Sequence, residues 1–375
     1  AAPQLDLRVI EPQPNELDFE HSPDTVLVQF RPGTRQAGID NAARLVQGSV
    51  KHEYTLVPGL VSMKIGTRVE DALAALRQRA GEDVLYAEPD YLWRTTAAPN
   101  DSSYNLLYGM NNDGQTGGTP GADINAELAW DSITGDQEFV IAVIDGGTNP
   151  NHPDLVDNIW TNPDEIPNNG VDDDNNGYID DVNGWDFYND DNNTNDDAFH
   201  GTHVSGTVGA RGDNGQGVAG VMWRCRIMPL KFIGPATGST TDAIRAIQYA
   251  SDKGVKVSNN SWGGGGFSTS LQNAIEASKS VGHIFVAAAG NDGSSQASYP
   301  ARYSNANIIA VAATDDDDNL AGFSNFNSVS VDLGAPGVDT YSLNSGSGFS
   351  YASGTSMASP HVAGAVALLY AYTGN

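Results

Sequence analysis

Three short stretches carry side chains that could perform acyl transfer, each set against an apolar run. Gly354-Thr355-Ser356-Met357-Ala358-Ser359-Pro360 places hydroxyls just ahead of Val362, Ala363 and Ala365 to Leu369, a long apolar run of good helix formers. The pattern predicts a helix capped by Ser356 or Thr355, with Pro360 in the first turn, where a missing N–H costs little. A serine there feels the positive end of the helix dipole and lies beside free backbone N–H groups, which suit a developing oxyanion. A capped serine alone is more often only a cap, so a base and an orienting carboxylate are required. His200-Gly201-Thr202-His203-Val204-Ser205-Gly206-Thr207 opens with a histidine and continues in small residues that read as a tightly packed helix. Val140-Ile141-Ala142-Val143-Ile144-Asp145-Gly146-Gly147 reads as a parallel strand buried on both faces and ending in a carboxylate, where open α/β sheets collect their working residues.

Asp145, His200 and Ser356 thus occur in that chain order. The three segments resemble the hallmarks of the subtilisin-like serine proteases, or subtilases: a strand ending in Asp-Thr/Ser-Gly, a His-Gly-Thr-His block and a Gly-Thr-Ser-Met-Ala block. The resemblance implies that Ser356 attacks the scissile carbonyl, His200 takes and returns the proton, and Asp145 fixes the imidazole tautomer. Ile284 to Ala289 form another apolar strand, and the following Gly290-Asn291 matches the segment that supplies the oxyanion-hole asparagine. His203 and His361 are expected to be structural, and His21, His52, His152 and His283 carry no supporting constellation. Ser261, Trp262 and Gly263 resemble one wall of the S1 pocket, and Ala288, Ala289 and Gly290 the other, their open backbone pairing with an extended peptide. Trp262 reads either as the wall of an outer apolar subsite or as a core aromatic. One departure concerns Gly146, which stands where the family has Thr or Ser.

Residues 22–98 have a different texture. Strands over Thr25–Phe30, Ser49–Val57, Leu60–Ile65 and Val84–Glu88, with helices over Gln36–Gln47 and Val69–Ala80, give a βαββαβ split pattern. Ahead of a subtilase this looks like the propeptide that folds and then inhibits the enzyme, with cleavage between Arg94 and Pro99. The expected organisation is a tail over 1–21, a ferredoxin-like α+β propeptide over 22–97, and over 98–375 an α/β parallel-sheet catalytic domain with helices on both faces. Family members continue beyond the serine helix, so further C-terminal elements are expected past Asn375.

Oxygen donors recur in Asp172-Asp173-Asp174-Asn175-Asn176-Gly177-Tyr178-Ile179-Asp180-Asp181, at positions 1, 3 and 5 of an EF-hand-type loop with glycine at 6. Asn183 replaces the glutamate of position 12, so Asp180 or Asp181 must close the shell, and Asp172, Asp174, Asn176, Tyr178 and Asp181 are the expected calcium ligands. The resemblance implies two further Ca²⁺ sites. One uses Asp101, Asp154 and the loop of Arg211, Asn214, Gln216 and Val218; the other uses Asp186, Asn189 and Asp191, with Asn189 in place of a family aspartate. Asp315 to Asp318 read as an exposed turn.

The 375 residues carry a net charge of −28. Residues 1–98 hold 10 basic and 14 acidic side chains and residues 99–375 hold 9 and 33, so the second part is the acidic body. Such a surface repels nucleic acid and has room for cations. No apolar run reaches membrane-spanning length, and the single cysteine, Cys225, excludes an intrachain disulfide. No signal peptide is visible at Ala1-Ala2-Pro3-Gln4; the resemblance implies a secreted monomer acting on polypeptides, restrained by its own propeptide. An inactive pseudo-protease and a calcium-binding interaction module are the competing readings.

Overall fold

The structure, a computed structural model, describes residues 16–18, 21–78, 83–92 and 97–374. The chain divides into two compact units, Ala1–Thr95 and Thr96–Asn375. Most of the expected tail and residues 93–96 of the expected cleavage segment lie outside the described residues.

The first unit follows the order β1 (His21–Phe30), α1 (Gln36–Leu45), β2 (Ser49–Glu53), β3 (Leu60–Lys64), α2 (Val69–Arg77) and β4 (Val84–Tyr91). Its sheet runs β2-β3-β1-β4 and is antiparallel throughout, the split βαβ arrangement. Alternate residues Val26, Val28 and Phe30 of β1 pack against Val69, Ala72, Leu73 and Leu76, the apolar stripe of α2. Several boundaries differ from expectation: β1 starts four residues early at His21, β3 ends at Lys64 and α2 ends at Arg77. The second strand ends at Glu53 because residues 54–59 turn, α1 ends at Leu45, and β4 continues through Pro89. The proline is tolerated because β4 is an edge strand and needs no outward N–H.

The second unit contains α3 (Ala126–Trp130), β5 (Gly135–Asp145), β6 (Trp185–Asp186), α4 (His200–Gly209), β7 (Arg224–Lys231), α5 (Thr240–Asp252) and β8 (Val257–Asn260). It continues with α6 (Thr269–Ser278), β9 (Ile284–Ala288), β10 (Ile308–Thr314), β11 (Leu333–Pro336), β12 (Thr340–Leu343), β13 (Phe349–Ala352) and α7 (Thr355–Thr373). Seven strands form one parallel sheet in the order β11-β10-β9-β8-β5-β7-β6. The apolar run of β5 is continuous because both faces are covered. Ile141 and Val143 face Val204 and Val208 of α4 and Met357 and Val362 of α7, whereas Ala142 and Ile144 join Ala246 and Ile247 of α5 and Ile275 of α6. The catalytic candidates therefore sit on two helices of one face, and Asp145 ends the central strand between them.

Candidate active site

Asp145 is the last residue of β5 and is 1% exposed. Its Oδ1 accepts hydrogen bonds from Nδ1 of His200 at 2.8 Å and from the Gly146 N–H at 2.7 Å, while Oδ2 is buried without a partner. His200 is the first residue of α4, and the start of that helix lies very close to the turn after β5: a Cβ at Gly201 would stand 1.9 Å from the Gly147 carbonyl. Only glycine permits that approach, which explains the small residues of the block. The Asp145 charge raises the His200 pKa against the opposing effect of burial, and Asp196 adds to it. Asp196, which sequence reading passed over, also accepts from the Thr202 N–H at 2.8 Å and so satisfies an amide of the first turn of α4.

Three other histidines of this unit are set apart by their surroundings. Burial pushes His203, His283 and His361 down to about 4, so they are neutral at ordinary pH. Each bonds a backbone carbonyl: His203 that of Ser350, His283 that of Val255 and His361 that of Met357.

Ser356 is the second residue of α7. The capping expectation fails: Gly354 is the N-cap and no side chain caps the helix, which leaves both hydroxyls for other work. Thr355 Oγ1 donates to Asn291 Oδ1 at 2.9 Å and accepts from the Gly290 N–H, and the Thr355 N–H also donates to Asn291 Oδ1, at 2.8 Å. A backbone N–H can only donate, so the amide orientation of Asn291 is fixed and Nδ2 is the atom left to bind an oxyanion. Because the helix starts at Thr355, Pro360 falls in its second turn, where its missing N–H deprives the Ser356 carbonyl of its helical partner. Ser261 Oγ takes that place at 2.8 Å. Ser356 Oγ in turn donates to the Ser261 carbonyl at 3.1 Å rather than to His200.

These groups collect at the carboxyl ends of three adjacent strands: Asp145 on β5, Ser261 just past β8 and Asn291 just past β9. The two expected substrate segments divide their labour. The Ala289 N–H and carbonyl are taken by Val311, Ser298 and Asn325, and the Gly290 N–H by Thr355. The backbone of Ala289 and Gly290 is therefore engaged within the fold, whereas Ser261, Trp262 and Gly263 lead into the exposed glycines 264–266. Trp262 proves both core and cleft. Its ring lies edge-on to Phe232 and Phe285, at centroid distances of 4.8 and 6.1 Å, and lines a cleft of about 360 Å³ with Phe232, Leu271 and Tyr299.

Residues 136–375 match the model of the subtilase family. The chain belongs to the subtilase family. The thermophilic serine proteinase of Bacillus sp. strain AK1 is 38% identical over 309 residues, covering 82% of this chain and 67% of that protein. Thermitase of Thermoactinomyces vulgaris is 38% identical over 66% of this chain and 79% of its own length, and an extracellular protease of Xanthomonas campestris pv. campestris 37% over 93% and 62%. A solved protease structure from Pseudoalteromonas arctica PAMC 21717 superposes with a TM-score of 0.59 at 33% identity, covering 73% of this chain and 87% of that one. This subtilase is accordingly a subtilisin-like serine endopeptidase by class.

The acidic groups of the subtilase unit differ in what they can hold. Asp101 and Asp154 are 5% and 1% exposed, and burial, reinforced by the Asp154 charge, raises Asp101 to about 6. Asp101 Oδ1 has no partner; Asp154 accepts from Asn214 Nδ2 at 2.7 Å and from the Val218 N–H at 2.8 Å. Gln216 donates its N–H to Asn214, while the Arg211 guanidinium turns to Gln137 and Asn158, leaving that residue only its backbone to offer. An orphaned, buried carboxylate oxygen beside a second carboxylate fits a cation. Asp186 is used differently: its carboxylate pairs with Lys231 Nζ at 3.0 Å and accepts from the N–H groups of Tyr188 and Asn189 and from Asn189 Nδ2. Asp191 accepts from the Asn193 N–H. Asp186 is thus paired with an ammonium, which the sequence pattern concealed.

Proposed function

We propose that the chain is the prodomain-bearing form of a serine endopeptidase that cleaves peptide bonds through Asp145, His200 and Ser356. The 2.8 Å bond from His200 Nδ1 to buried Asp145 carries this reading, because it leaves Nε2 as the nitrogen that exchanges a proton. Ser356 Oγ attacks the carbonyl carbon as its proton passes to Nε2. The tetrahedral oxygen is held by Asn291 Nδ2 and the Ser356 N–H, a donor pair of which each member contributes about 3–4 kcal/mol to the transition state. The C–N bond then breaks, the amine leaves with the His200 proton, and water deprotonated by His200 releases the acyl group.

The substrates are polypeptides, bound as an extended strand along Ser261–Gly263 with an apolar side chain against Trp262. The α+β unit over 22–97 acts as the enzyme's own inhibitor, a role supported by its split βαβ fold and its place ahead of the protease. Asp101, Asp154, Asn214 and the backbone of the Arg211–Val218 loop hold calcium, which when bound neutralises the buried carboxylates. The enzyme works as an extracellular monomer; the relatives include an extracellular protease, and among the described residues no helix is long and apolar enough to cross a membrane.

A fluorophosphonate reagent tests this reading. After removal of residues 1–97, stoichiometric labelling that is lost in Ser356→Ala is expected. An unlabelled parent would leave only the binding-module reading.

A further inference from the structure

Glu165 lies seven residues ahead of the Asp172–Asp181 loop and belongs to no motif in the sequence. It is 7% exposed. Its Oε1 accepts from the N–H groups of Asp173 and Asp174, at 2.9 and 3.3 Å, whereas Oε2 is buried with no partner. A buried carboxylate oxygen left this way is strongly unfavourable unless a positive charge completes it. Asp172 and Asp174 stand beside it, and one oxygen from each of the three carboxylates lies within 4.8 Å of the others. Opposite oxygens round calcium are about 4.6–5.2 Å apart, so this span fits one ion.

Charge points the same way. Lys253 Nζ pairs with Asp174 Oδ2 at 2.5 Å, which offsets one of three carboxylates and leaves two formal negative charges. Asp181, the residue expected to close the shell, lies outside this group of three carboxylates. It accepts from the Tyr249 hydroxyl and from Nδ2 of Asn162 and Asn176, the latter two at 2.8 Å, and is fully buried.

We infer that Glu165, with Asp172 and Asp174, forms a calcium site of its own, and that Asp181 is not a ligand but ties the loop to α5. This extends the calcium reading proposed above to a loop outside the two sites that the family resemblance implies. The ion then joins the segment between Trp160 and β6 to α5 through Lys253 and Tyr249, so its loading is coupled to the order of that loop.

Terbium luminescence on the full chain tests the inference, in a Ser356→Ala background that prevents self-digestion. Trp160 and Tyr249 have ring centroids 5.9 and 5.6 Å from Lys253 Nζ and serve as sensitisers. A saturable phase of sensitised emission, displaced by calcium, is expected. Glu165→Gln weakens terbium affinity in that phase at least about tenfold, Glu165→Asp weakens it while conserving charge, Asp181→Asn shifts it less than about threefold, and Asp101→Asn leaves it in place. Parental affinity in both Glu165 variants overturns the assignment, as does a phase abolished by Asp101→Asn. An Asp181→Asn loss as large as that of Glu165→Gln returns Asp181 to the shell. Fluorophosphonate labelling of the parent is independent of all these outcomes, so failure of the metal site is distinguishable from failure of the proposed catalysis.

Discussion

Ser261 and Ser356 hold each other at two points: Ser261 Oγ donates to the Ser356 carbonyl at 2.8 Å, and Ser356 Oγ donates to the Ser261 carbonyl at 3.1 Å. The first bond repairs the gap that Pro360 opens in α7, and it is itself braced, since Asn259 Nδ2 donates to Ser261 Oγ and Ser359 Oγ to Asn259 Oδ1. The second bond parks the nucleophile on a carbonyl that an extended peptide would use for pairing. In the proposed mechanism a substrate N–H arriving at Ser261 displaces the hydroxyl and frees it for His200 Nε2.

Ser261→Ala therefore removes the brace and leaves the Ser356 carbonyl without its partner, a loss of about 1–3 kcal/mol. Because the disturbed residue is the proposed nucleophile, Ser356, kcat is expected to fall about tenfold or more with KM nearly constant. Steady-state kinetics on a peptide substrate decide it; a change confined to KM would show that Ser261 acts only through the cleft.

Asp145 Oδ2 is unpartnered, and a Cβ at Gly146 would find no atom beyond its chain neighbours closer than the Ile233 carbonyl at 3.7 Å. Gly146→Ser can thus place a hydroxyl beside a buried charge, a bond of about 1.5–3 kcal/mol. In the parent the Asp145 charge holds His200 above the ordinary histidine range, so the acid limb of kcat/KM should lie above about pH 6.5. The new donor neutralises part of that charge and should lower the limb while raising thermal stability. A pH–rate profile and a melting curve suffice, and an unmoved limb with a lower melting temperature would mean the space is not usable.

Three buried neutral histidines make the fold sensitive to mild acid. His203, His283 and His361 are depressed to about 4 by burial, whereas unfolded histidine titrates near 6.5. The unfolded chain binds these protons first, so stability is lost as pH falls from about 6.5 toward 4, by up to roughly 3 kcal/mol per residue. Urea unfolding of Ser356→Ala at pH 7, 6 and 5 should show a falling midpoint; a flat series would contradict the burial of these rings.

What the sequence disclosed and what it hid follow from range. Asp145, His200, Asn291 and Ser356 are legible because each sits where an apolar strand stops or a helix starts, a signal contained in about eight residues. Glu165 gives no sign because the carboxylates beside it are brought together only by folding, and the hydrogen bond of Asp181 with Tyr249 spans 68 residues, beyond any local pattern. The cap at Ser356 was misread for a related reason. Local propensity favours a hydroxyl at an N-cap, but the tertiary contacts of Thr355 with Asn291 and of Ser356 with Ser261 claim both hydroxyls.

Lys231 is the other long-range partner, and it governs the reading of Asp186. It ends β7, is 1% exposed, and pairs with Asp186 at 3.0 Å and Asp197 at 2.8 Å while donating to the Asn195 carbonyl. The segment it holds runs directly into His200, and Asp196 accepts from the Thr202 N–H in the first turn of α4. Lys231→Met leaves the Asp186 charge fully buried and uncompensated, which should destabilise the fold by about 3–5 kcal/mol. Pairing it with Asp186→Asn removes that charge and should recover most of the loss, as expected for an ion pair replaced by neutral groups. Calcium discriminates the alternatives in the same melting experiment. If the segment is built for an ammonium, millimolar calcium does not rescue Lys231→Met beyond its effect on the parent; selective rescue would mean that Asp186, Asn189 and Asp191 accept the metal once the lysine is gone.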